Sequence, residues 1–141
     1  MPVRKVPPIL QTLLGIPITQ GALTQDALRQ AEGPVGEAHQ GLRAEIAREP
    51  VIWTDDTGWK VGGRPAHLLA FASFWTTVFQ IRSRHRNEEV REVVPADYSG
   101  VLTTGSGALL RRVALARVKQ QKCLAHIQRS LSEALVGQRA R

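Results

Sequence analysis

Cysteine is almost missing from this 141-residue chain. Cys123 stands alone, so no internal disulfide framework is available, and the chain fits a reducing cytosol. Long apolar runs are missing too: nothing approaches the roughly 18 residues of a membrane-spanning helix. The N-terminal stretch carries the basic pair Arg4 and Lys5. It is broken by Pro7 and Pro8 and offers no small-residue cleavage site, so no signal peptide is expected. Acidic residues are scarce in one place. Residues 111–141 hold eight Lys or Arg and a single acid, Glu133, whereas residues 1–110 hold eleven of each sign. The net charge of +7 therefore sits entirely in the last stretch. A clustered positive surface attracts a polyanion, and DNA phosphate is the usual one; a solvated basic helix at a chain end is the plainer alternative. With 43% apolar and 22% charged residues, the composition is that of a globular domain and not of a disordered chain.

Residues 9–23 form a short apolar piece interrupted by Gly15 and Pro17. Residues 24–48 carry apolar side chains every three or four positions, from Leu28 through Ala31, Val35, Ala38 and Leu42 to Ile46. This predicts an amphipathic helix capped by Thr24 and broken or kinked at Gly33-Pro34. After Pro50 the pattern changes. Val51–Thr54, the apolar run Ala66–Phe74 and the β-branched and aromatic run Thr76–Ile81 predict three neighbouring strands joined by tight turns, with Gly62-Gly63 between the first two. Residues 85–94 read as a helix capped by Asn87, Gly100–Thr104 as a fourth strand, and the part from about Leu109 as basic and mostly helical. Helices, three strands, helix, strand and helix make a mixed α/β (α+β) domain.

Asp55 and Asp56 fall where the first strand is expected to end. Side chains alternate across a strand, so only one of the two can face a given metal, and Asp55 is the candidate ligand. Carboxylate oxygens suit hard cations such as Mg²⁺, and two such ions clamp the attacking and leaving oxygens in phosphoryl transfer. An ordinary acidic turn, Asp-Asp-Thr-Gly, is the competing reading. Cys123 and His126 have a C-x-x-H spacing, but a structural zinc site needs four ligands, and His39, His67 and His85 are scattered. Gly105-Ser106-Gly107 reads as a loop, and Ser106 lacks a nucleophile-elbow context.

Residues 51–71, VIWTDDTGWKVGGRPAHLLAF, resemble the opening of the catalytic domain in transposases of the IS66 insertion-sequence family: a strand, an acidic pair, Thr-Gly-Trp, a glycine turn and an aromatic strand. Residues 79–94 resemble the third strand and next helix of that family, and Tyr98–Leu102 the approach to its fourth strand. Residues 121–126, QKCLAH, with Arg129 resemble its Cys-Leu-Ala-His…Arg stretch. Upstream, Leu14–Ile18 and Gly21–Leu23 resemble the helical segment before the core. The resemblance implies a helical segment over residues 1–49 and a partial, RNase H-like catalytic domain of DDE type over 50–141.

Carried over position by position, the resemblance places the first catalytic and metal-binding carboxylate on Asp55. The glutamate that follows it in the family is Asp56 here, and His67 stands where the family usually has Trp. The second carboxylate falls on Gly105, which has no side chain, and the third, a glutamate, is expected beyond Arg141. Metal-dependent DNA strand cleavage and transfer is therefore the implied ancestry, with catalysis expected to be lost. Mg²⁺ is the family's cofactor, but the residues present are not expected to hold it stably. A rescue through Asp97, which precedes the fourth strand, would need its loop to fold back over the sheet. DNA, the ends of the element, is the implied partner. Arg111, Arg112, Arg117, Lys119, Lys122 and Arg129 are the candidate DNA contacts, in a bacterial cytoplasm and away from any membrane. The alternative is a non-catalytic basic protein that binds nucleic acid or a full-length transposase.

Overall fold

The computed structural model describes residues 2–84, 86–105 and 118–139, arranged as two compact units, Met1–Gly41 and Leu42–Arg141. In the first unit, a 3-10 turn (Val3–Lys5) leads into α1 (Val6–Leu14), followed by α2 (Gln20–Glu32) and the start of α3 (Pro34–Ile46). Prolines in the first turn of α1 cost no hydrogen bond there, and Gly15 ends the helix in the left-handed conformation at φ 67°. The cap of α2 is Thr19, itself extended, whose hydroxyl accepts from Ala22 N–H at 3.1 Å. Thr24, the expected cap, lies inside α2 and donates its hydroxyl to the Gln20 carbonyl at 3.0 Å. Gly33-Pro34 divides the helical stretch as expected.

The second unit is built on a mixed sheet, as expected, with five strands in the order β3-β2-β1-β4-β5. β1 (Val51–Val61) pairs antiparallel with β2 (Arg64–Ala72), which pairs antiparallel with β3 (Thr77–Arg82). β4 (Val101–Thr104) and β5 (Lys119–Lys122) add to the other side of β1 in parallel. Gly62 and Gly63 make the two-residue hairpin turn with φ of 56° and 79°, a conformation that side-chain-bearing residues rarely adopt. Gly100 admits β4 beside β1, since a Cβ there would lie 2.6 Å from the Pro50 carbonyl oxygen.

One face of this sheet carries the core. Ile52, Leu69, Phe71, Val78 and Leu102 meet Ile46 from the last turn of α3, Val90 from α4 (Asn87–Arg91), and Val93, Val94 and Tyr98 beyond it. Side-chain hydrogen bonds tie these pieces down: Tyr98 donates to the Glu49 carbonyl at 2.9 Å, and buried Gln80 donates to the Glu89 carbonyl at 2.6 Å. The opposite face bears Trp53, Phe79 and Ile81 and is largely exposed, with Trp53 meeting the edge of Phe74 at 4.9 Å.

Three further expectations change. Asp55 and Asp56 do not end the first strand. The β1–β2 ladder runs from Trp53↔Ala72 to Val61↔Arg64, and its hydrogen bonds hold the acidic pair extended. Lys119–Lys122 is a strand and not part of a helix, because the open edge of β4 supplies a hydrogen-bonding partner that Lys-Gln-Gln-Lys cannot signal by itself. The helix expected over 85–94 is confined to Asn87–Arg91 and starts from Arg86, whose N–H donates to the Glu89 carboxylate at 2.9 Å.

Candidate active site

The parallel β1–β4 ladder ends at Thr54↔Thr104, and the next residue on each strand is Asp55 and Gly105. Strand alternation puts Asp55 on the face of Trp53, away from buried Ile52 and Thr54, while Asp56 follows Thr54. The Asp55 side chain is 62% exposed, and its Oδ1 accepts from Asp56 N–H at 3.0 Å. A Cβ built on Gly105 would lie 3.3 Å from Asp55 Oδ1 and 3.3 Å from His126 Nε2. Asp55, Gly105 and His126 thus converge just past the end of the parallel β1–β4 ladder, where β4 stops and β1 continues.

His126 arrives there because the chain turns directly from β5 into α5 (Leu124–Arg139). Cys123 N–H donates to the Thr104 carbonyl at 2.8 Å, and this anchors the start of α5 at the end of β4. The His126 side chain is 24% exposed, and its Nε2 stands 3.7 Å from Asp55 Oδ1, too long for a hydrogen bond. The Cys123 thiol is held below its usual range, first by the His126 side chain and then by the His126 backbone N–H, as befits a sulfur at a helix N-terminus. The C-x-x-H spacing was visible in the sequence, but its convergence with Asp55 depends on the β4–β5 pairing.

Carboxylates do not gather at this point. Among the described residues no group of three or more His, Cys, Asp or Glu side chains is placed to hold a metal ion. Asp97 lies before β4 and lines an open pocket with Pro50, Tyr98 and Gly100 at the opposite end of the β1–β4 pair. The length of β4, about 10 Å at strand rise, therefore separates Asp97 from the level of Gly105. Of the basic residues, Lys119 and Lys122 are exposed on β5 and Arg129 is exposed on α5. Arg111, Arg112 and Arg117 lie outside the described residues. Among the described residues no helix is long and apolar enough to cross a membrane.

Comparison with curated proteins gives no match. Among solved structures, the catalytic core domain of HTLV-2 integrase in complex with magnesium (trimeric form) is similar at a TM-score of 0.42 and 12% identity, covering 60% of this chain and 67% of that one. The chain matches the Transposase IS66 family over residues 1–141. It belongs to the IS66 family of transposases.

Proposed function

We propose that this chain is a transposase-derived DNA-binding protein without strand-cleavage or strand-transfer chemistry of its own. Two-metal phosphoryl transfer needs carboxylates from separate elements to hold two ions about 3.5–4 Å apart across the scissile phosphate. The observation that carries the reading is Gly105. It stands beside Asp55 at the end of the neighbouring strand, where a second carboxylate would share a cation, and it has no side chain. Asp55 alone fits one ion weakly, and Asp56, next in the strand, points to the other face. Most of the electrostatic stabilisation of a pentacovalent phosphate is then missing. What remains is basic surface: Lys119, Lys122 and Arg129 are exposed and suit phosphate without base selectivity.

The test is a cleavage and strand-transfer assay on linear DNA carrying the element's ends, with Mg²⁺ or Mn²⁺. No product is expected. Metal-dependent products that disappear in Asp55→Ala would overturn the reading.

A further inference from the structure

β1 and β2 outrun the rest of the sheet. The last β1–β4 rung is Thr54↔Thr104 and the last β2–β3 rung is His67↔Arg82, while the β1–β2 ladder continues to Val61↔Arg64. Among the described residues the tip of this hairpin therefore has no further strand on either edge. At strand rise the tip stands about 20 Å beyond Asp55. Charge marks it as well. From Thr57 to Asn87 the chain has five Lys or Arg and no Asp or Glu. The two at the tip, Lys60 and Arg64, are exposed and enter no salt bridge among the described residues. We propose that the β1–β2 hairpin is an arm that enters the major groove of duplex DNA, with Lys60 and Arg64 on the phosphates of opposite strands.

The register puts the two cations on opposite faces. Arg64 pairs with Val61 and shares its face with Trp59, whereas Lys60, paired with Pro65, takes the other face. A ribbon entering a groove tip first turns its two faces to the two walls, and those walls are the two phosphate rows. Its thickness with side chains, about 10 Å, fits the roughly 12 Å major groove and not the roughly 6 Å minor groove. A groove depth of about 8.5 Å takes about two or three residues from the end of each strand, the stretch that carries Lys60 and Arg64. Gly62 and Gly63 lead, with no side chain to meet the groove floor. The ribbon keeps apolar packing beyond the last β2–β3 rung, where Ala66, directly across from Trp59, is buried. The arm also extends the basic surface of β5. β1, β4 and β5 run parallel, and Lys122 ends β5 on the side of the sheet from which the arm projects.

This rests on the reading of the chain as a DNA-binding protein, and the experiment separates the two. Fluorescence anisotropy of the full chain across salt concentrations uses three probes. They are a mixed-sequence duplex, the same duplex with glucosylated 5-hydroxymethylcytosine, whose sugars fill the major groove, and the plain duplex with distamycin, which fills the minor groove. Lys60→Gln with Arg64→Gln should lower the slope of log affinity against log salt by about 2. Glucosylation should weaken the unsubstituted chain at least about tenfold and the Gln pair less than about threefold, and distamycin should leave both within about threefold. Lys60→Arg with Arg64→Lys keeps both charges and should keep the slope. An unchanged slope in the Gln pair would overturn the arm and leave the DNA-binding reading standing; a dimer that the Gln pair abolishes at unchanged slope would assign the tip to a second copy instead. Displacement by distamycin, or indifference of the unsubstituted chain to glucosylation, would overturn the arm as well. No binding at low salt would overturn both the arm and the reading beneath it. Should the Gln pair fail to fold, glucosylation decides with the unsubstituted chain.

Discussion

Charge at single residues governs how this protein responds to acid. Arg82 on β3 binds Glu92 in the turn after α4 through two guanidinium nitrogens, and Arg43 of α3 reaches the same carboxylate at 3.6 Å. The Arg82 hydrogen bond holds Glu92 below the usual carboxylate range, against the partial desolvation that would raise it. A depressed folded-state value means stabilisation present above the unfolded value and lost as pH falls through the folded one. Both side chains are about a third exposed, so solvent screens the pair, and its worth is about 0.5–1 kcal/mol. Glu92→Gln should therefore lower stability by roughly that amount at pH 7. The difference should shrink as pH drops below about 4.3, the ordinary glutamate value. Urea unfolding of the two proteins across pH 3–7 measures it, and parallel curves with a constant gap would count against the pair.

Elements differ in how firmly they are held. β1 is bonded on both sides, by β2 and β4, and its Ile52 is fully buried. β5 is four residues long, exposed throughout, and among the described residues paired with β4 alone. Local opening follows buried contacts, so amide hydrogens of Lys119–Lys122 should exchange orders of magnitude faster than those of Ile52 and Leu102. Exchange measured by NMR in native conditions tests this, and equal protection across β1, β4 and β5 would refute it. The same contrast explains which elements could be read beforehand. β2 and β3 are rich in Leu, Phe, Val and Ile, and hydrophobic pattern announces them. The polar β5 is a strand only because β4 leaves an edge open beside it. The Asp-Asp-Thr-Gly stretch looks like a turn in isolation, and the β2 ladder makes it a strand.

At the scale of the whole molecule, the distribution of charge sets the behaviour toward DNA. Residues 111–141 hold eight basic side chains against one acid, and Lys119, Lys122 and Arg129 are exposed. Association should fall steeply with salt, because each neutralised phosphate releases counterions, and should vary little with sequence. Replacing Lys119, Lys122 and Arg129 together by Gln should reduce the slope of log affinity against log salt by about 3. Fluorescence anisotropy with random duplexes at several salt concentrations reads this directly. An unchanged slope would place the phosphate contacts elsewhere.

The amino-acid sequence by itself determined the charge asymmetry, the break at Gly33-Pro34, the glycine hairpin and the alternation that separates Asp55 from Asp56. Each is a local property, fixed by side-chain charge, backbone freedom or strand period. The resemblance over residues 51–71 and 121–126 pointed to the family as well. Only the tertiary structure decided that Gly105 lies against Asp55 and that His126 faces both. Those contacts join residues 21 to 71 positions apart, and the parallel pairing of β1, β4 and β5 creates them. A C-x-x-H spacing reports a helical turn, but which strand end that turn meets depends on hydrogen bonds between segments far apart in the chain.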